Sequence, residues 1–132
     1  MKQSPLLEFN SDGFTTAPGE DEATNPGIFG KSLAEWLSYE LCASGLAAGE
    51  AFAEDFGWCI PVDSKPHALY VVCASTDDQA SSWRVFAFAE GGFMGRVFGK
   101  DTRQEDVERV YDAVKAMLIG RPDVHDVSEG RA

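Results

Sequence analysis

A chain of 132 residues with 44% hydrophobic and 25% charged content fits one domain that can bury its own core, which excludes global disorder and a disulfide-stapled miniprotein. Its formal net charge of −11 is unevenly placed: residues 1–63 carry two basic and eleven acidic side chains, and the rest carry nine and eleven. Such a field draws cationic partners and repels nucleic acid and anionic membranes, and the apolar runs are too short to span a bilayer.

Residues 5–9, Pro-Leu-Leu-Glu-Phe, predict a short strand. Residues 10–24 hold Gly13, Pro18, Gly19 and the triplet Glu20-Asp21-Glu22, a composition that predicts a mobile acidic loop. Asn25-Pro26 reads as a helix start, because Asn caps well and Pro suits the first helical position. Phe29, Leu33, Trp36, Leu37 and Leu41 then fall on one helical face, and Gly45 reads as the stop. Gly27 and Gly30 either weaken the first turns or allow close approach to a neighbouring element.

Residues 47–55 form a connection carrying Glu50, Glu54 and Asp55. Phe56, Trp58, Ile60 and Val62 then alternate with smaller residues, a strand with one heavy face. Pro61 lacks an N–H and points to an edge or a strand end. Residues 68–74 are a continuous apolar run, the pattern of a central strand, and residues 83–89 make a third strand after a turn at 76–79. Glu90-Gly91-Gly92 predicts a tight turn, and residues 93–98 a short fourth strand. Thr102 with Glu105 reads as a capping box for a last helix. Its stripe is Val107, Val110, Tyr111, Val114, Met117 and Leu118, and Gly120 and Pro122 end it. Residues 123–132 offer little to pack and are expected to fray. The order β-α-β-β-β-β-α over residues 1–132 predicts a single α+β domain, a mainly antiparallel sheet with two helices packed on one face.

Three cysteines at wide spacing, Cys42, Cys59 and Cys73, argue against a disulfide framework. Each sits in an apolar context and is expected to be a buried packing residue. With no apolar stretch of signal-peptide length at the start, a cytoplasmic location is expected. No metal and no cofactor are expected. Neither His67 nor His125 lies within a helical turn of a cysteine or of the other histidine, and no Cys-x-x-Cys or EF-hand pattern exists. The glycines near Lys100 imitate a phosphate loop, but Met94 stands at its first glycine position and Asp101 at its Ser/Thr position. There is no Gly-x-Ser-x-Gly elbow. Cys59 or Cys73 with His67 is a conceivable nucleophile–base pair, yet strand alternation does not show that they meet; an exposed loop histidine and two packed thiols are expected, and no catalytic residue.

Glu54-Asp55-Phe56-Gly57-Trp58 places two carboxylates directly before two large aromatics. On one reading Phe56 and Trp58 fill the core while the acids face water. On the other, an aromatic anchor rimmed by carboxylates is aimed at Lys or Arg on a partner. The candidate partner-binding set is Glu50, Glu54, Asp55, Phe56 and Trp58, bordered by Trp36 and Tyr39 of the first helix.

The pattern Asn25-Pro26-Gly27, Phe29-Gly30, Leu33-Ala34, Trp36-Leu37, Leu41, Gly45, Gly49-Glu50 and Glu54-Asp55-Phe56-Gly57-Trp58 resembles a family of small, functionally uncharacterised bacterial proteins. The resemblance implies a bacterial single-domain protein and no particular activity. The leading expectation is a non-enzymatic acidic binding protein, an immunity or inhibitor protein acting on a basic protein partner. The alternatives are a small-ligand-binding domain or modest enzyme with a pocket near Trp58 and Cys59, and an accessory subunit of a larger assembly. Neither nucleic acid nor membrane is an expected partner.

Overall fold

Period-two burial sets the architecture. In the computed structural model, which describes residues 2–64, 67–77, 79–90 and 102–131, the strand His67–Ser75 buries its odd-numbered side chains on one face, and Ser82–Ala89 does the same with Trp83, Val85, Ala87 and Ala89. Those faces need a cover, and two amphipathic helices supply it. The chain runs β1 (Lys2–Gln3), β2 (Leu6–Asn10), a 3-10 turn (Glu20–Glu22), α1 (Lys31–Ala43), β3 (Ala47–Ala48), β4 (Phe52–Glu54), β5 (Gly57–Ser64), β6 (His67–Ser75), β7 (Ser82–Ala89), α2 (Arg103–Ile119) and β8 (His125–Gly130). Among the described residues the eight strands make one antiparallel sheet in the order β3-β5-β6-β7-β2-β8, with β1 also paired to β7 and β4 to β5. Among the described residues this is the α+β class, with two helices, that the periodicity predicts.

Helix α1 buries Leu33, Ala34, Leu37 and Leu41, and α2 buries Val107, Val110, Tyr111, Val114 and Leu118. Together with Leu7, Phe9, Ile60, Val62, Leu69, Val71, Trp83 and Val85 they form one core. Phe29 and Trp36, expected on the buried stripe, are half-buried at its margin, as is Met117.

Helix α1 begins at Lys31, not at Asn25-Pro26. Gly30 lies so close to β6 that a Cβ there would stand 2.5 Å from the Cys73 carbonyl oxygen, and Gly57 meets the same carbonyl at 2.7 Å. Only glycine permits either approach. Glu20 caps the helix from ten residues upstream: its Oε2 accepts the Gly30 and Lys31 N–H groups at 2.8 and 3.1 Å, and its Oε1 accepts Ala17 N–H at 3.1 Å. Two orphan donors of the first turn are thereby satisfied by a buried carboxylate.

The expected capping box at α2 is absent. Thr102 makes no side-chain cap; its hydroxyl lies 3.1 Å from His67 Nε2, and Glu105 and Asp106 simply supply negative charge to the first turn. Residues 125–130 are not a frayed tail: they form β8, which pairs with β2. All six are exposed, so backbone pairing rather than side-chain burial holds them, and alternation cannot reveal such a strand. The expected connection 47–55 contains the short strands β3 and β4. The break between them meets Pro61, whose carbonyl accepts Gly49 N–H at 2.8 Å. The missing Pro61 N–H would point the same way, so β5 tolerates its proline beside a broken edge. The expected turn at Gly91-Gly92 and strand at 93–98 lie outside the described residues.

Candidate functional site

The acidic–aromatic segment becomes a hairpin. Strands β4 and β5 pair as Phe52↔Cys59, Ala53↔Trp58 and Glu54↔Gly57, which leaves Asp55 and Phe56 as a two-residue turn. Alternation then sends neighbouring side chains to opposite faces. Trp58 turns toward the helices and is buried, with Lys31 Nζ 5.5 Å from its ring centroid. Phe52, Glu54 and Cys59 turn to the face away from the helices. Phe56 is 49% exposed and Phe52 37%.

The distal face carries a run of aromatic rings. Tyr70 of β6 pairs with Phe88 of β7, their rings stacked with centroids 5.3 Å apart. Phe52 meets Tyr70 at 6.1 Å with an interplanar angle of 89°, and Phe86 lies 6.4 Å from Phe88. Phe52, Phe56, Tyr70 and Phe88 line a concavity of about 270 Å³ with Cys59 at its base and Glu54 and Glu90 beside it. Neither carboxylate has an ion-pair partner among the described residues.

Of the partner-binding candidates, Glu54, Asp55 and Phe56 share the hairpin tip, and Glu50 is exposed just before β4. Trp58 belongs to the core. Tyr39 is exposed on α1, on the opposite side of the sheet. Trp36 belongs to another cluster. There the Arg121 guanidinium lies 4.4 Å from the Phe14 ring centroid and 4.6 Å from that of Trp36. It donates two 2.9 Å hydrogen bonds to Asp123, which also accepts from Ser11 Oγ at 2.6 Å. Hydrogen bonding from Arg121, with help from Ser11, holds the Asp123 carboxyl down at about 2. Phe52, Tyr70, Phe88 and Glu90 are the site residues the sequence did not suggest. The signal for Tyr70 and Phe88 lies in the even-numbered aromatics of β6 and β7, whose face is turned away from α1 and α2.

The thiol–imidazole pair does not assemble. His67 is buried on the helix side, where its Nε2 lies 3.7 Å from Asp106 Oδ2, whereas Cys59 faces the other way. Cys73 shares the face of His67 but stands six residues along the strand, roughly 20 Å away. Burial, then the Glu54 charge, pushes the Cys59 thiol up to about 11, and burial raises Cys73 further. Neither supplies thiolate at neutral pH. Contrary to the expected burial of all three, Cys42 is exposed, with Sγ 3.1 Å from the Ala48 carbonyl oxygen; all three are unpaired. Among the described residues no cluster of three or more His, Cys, Asp or Glu is placed to hold a metal ion, and no helix is long and apolar enough to cross a membrane.

Comparison with protein-family models, with curated proteins and with solved structures gives no match. The functional reading therefore rests on the site itself.

Proposed function

We propose that the protein is a non-enzymatic binding protein that engages a basic protein surface, in the manner of an immunity or inhibitor protein. Its recognition edge is the β4–β5 hairpin with the aromatic sheet face beside it. One observation carries the reading: Phe52 and Phe56 stand exposed on a hairpin that also bears Glu54 and Asp55. Large apolar rings at a surface are costly unless a partner covers them, and carboxylates at their rim select that partner by charge. The asymmetric charge of the chain adds long-range steering. Unpaired thiols suit a reducing compartment, and we place the protein in the cytoplasm. A second reading, a small-ligand-binding domain, is favoured by the concavity against Cys59.

The test pairs partner capture at low and high salt with a charge-reversed variant. Wild-type protein should retain a basic partner at low salt and release it as screening shortens the reach of the field to about 8 Å near physiological ionic strength. Glu54→Lys with Asp55→Lys should slow association with the purified partner while leaving thermal stability unchanged. A folded double variant that binds with unchanged affinity at low salt would refute the assignment.

A further inference from the structure

We propose that the concavity between the hairpin and the aromatic face is a binding site for an alkylated ammonium cation, a trimethylammonium head being the type that fits. The proposal rests on the reading of this face as a binding surface and names the group taken at its centre. Phe52 and Tyr70, at 89° and 6.1 Å, form two adjacent walls, and Phe88 stacks on one face of Tyr70 and backs that wall. Phe56 adds a fourth ring from the hairpin turn. Ring faces carry the negative lobe of the aromatic quadrupole, so converging rings create a site for positive charge without an ion pair.

Glu54 and Glu90 supply the formal countercharge; among the described lining residues there is no Lys or Arg, and Arg103 donates to the Glu90 backbone carbonyl at 3.3 Å. The negative potential at the base is felt by Cys59, whose thiol Glu54 helps to hold protonated. That thiol offers soft, neutral bulk and no competing charge.

Chemistry then narrows the cation. Calcium and magnesium need about six oxygen ligands, and these walls are carbon. A bare ammonium is strongly hydrated and gains little by leaving water for rings. An alkylated ammonium is weakly hydrated, keeps its charge, and presents polarised methyl groups to ring faces. About 270 Å³ lies just under the roughly 300–1,000 Å³ of pockets that enclose whole small molecules, so the site suits a head group with its stem left outside. The head can come from a free quaternary ammonium compound or from a methylated lysine on a protein.

Titration of the whole protein with choline, read by amide NMR shifts over residues 52–59 and 67–75, tests the proposal. Saturable shifts are expected, with the uncharged tert-butyl isostere of choline binding at least tenfold more weakly. Phe52→Ala should weaken choline about tenfold, Tyr70→Phe should preserve it, and Glu90→Gln should weaken it several-fold at unchanged melting temperature. A trimethyllysine peptide that binds more tightly than choline assigns the head group to a protein; tighter binding of choline assigns it to a free compound. Equal binding of choline and its isostere, absence of saturable shifts, or a folded Phe52→Ala and a Glu90→Gln that both bind like wild type would overturn it. The two proposals fail separately. Loss of choline binding with salt-dependent capture intact removes only the cation site. Choline binding beside capture that ignores charge reversal removes only the basic protein partner.

Discussion

Replacing Asp123 by Asn removes the charge from the Arg121 clamp while keeping the shape of the side chain. In the native protein the Asp123 carboxyl titrates at about 2 against an ordinary 3.8. At about 1.36 kcal/mol per pH unit, that difference corresponds to an upper bound of roughly 2.4 kcal/mol. Asp123 and Arg121 side chains are 24% and 23% exposed, so solvent screening reduces the expected loss to about 1–2 kcal/mol. The folded-state value is depressed, so the contribution is fully present above the unfolded value near 3.8 and fades as pH falls toward 2. About half should already be gone near pH 3. Urea unfolding of wild type and Asp123→Asn, at steps from neutral pH down to about 3, measures this as two stability curves that converge with acid. No gap at neutral pH would show that Asp123 contributes shape alone and that the clamp is held by ring stacking on Arg121, and a gap that stays constant across the range would show that the loss does not come from the carboxylate charge.

Glu20→Ala should cost about 1–2 kcal/mol, because it strands the Gly30 and Lys31 N–H groups at the start of α1; hydrogen exchange should speed up there first, and unchanged protection would contradict the capping role. Thiol labelling of native protein should modify Cys42 quickly and leave Cys59 and Cys73 until denaturation, so that one equivalent is followed by two; early reaction at Cys59 would show that its thiol is neither buried nor raised toward 11.

Local pattern and distant pairing were legible to different degrees. The stripes Leu33, Leu37, Leu41 and Val107, Val110, Val114, Leu118 repeat within a few residues, and the helices appear where that repeat runs. Strands β5, β6 and β7 were visible because each alternates or is apolar throughout. The start of α1 was not, since it depends on a carboxylate ten residues upstream and on the contact of Gly30 with the Cys73 carbonyl. Strand β8 has no buried residue to mark it. At the site, Glu54, Asp55 and Phe56 stood out as neighbours in sequence, whereas Tyr70 and Phe88 join them through cross-strand register alone. Trp58 shows the limit of composition: period two sends it inward and Cys59 outward, so the rarer aromatic serves the core.

The position of β2 bears on how the protein is made. Its residues Leu7 and Phe9 are fully shielded in the finished sheet, between β7 and β8. During synthesis they leave the ribosome long before Val85 and Trp83, and longer still before Glu129. At about 5–20 residues per second, this strand waits roughly 6–24 s for its last neighbour. Throughout that interval a hydrophobic ribbon with unused backbone donors and acceptors is open to any passing edge. Nascent-chain protection by a chaperone, or overexpression that outruns it, should therefore govern the soluble yield more strongly than the stability of the completed fold.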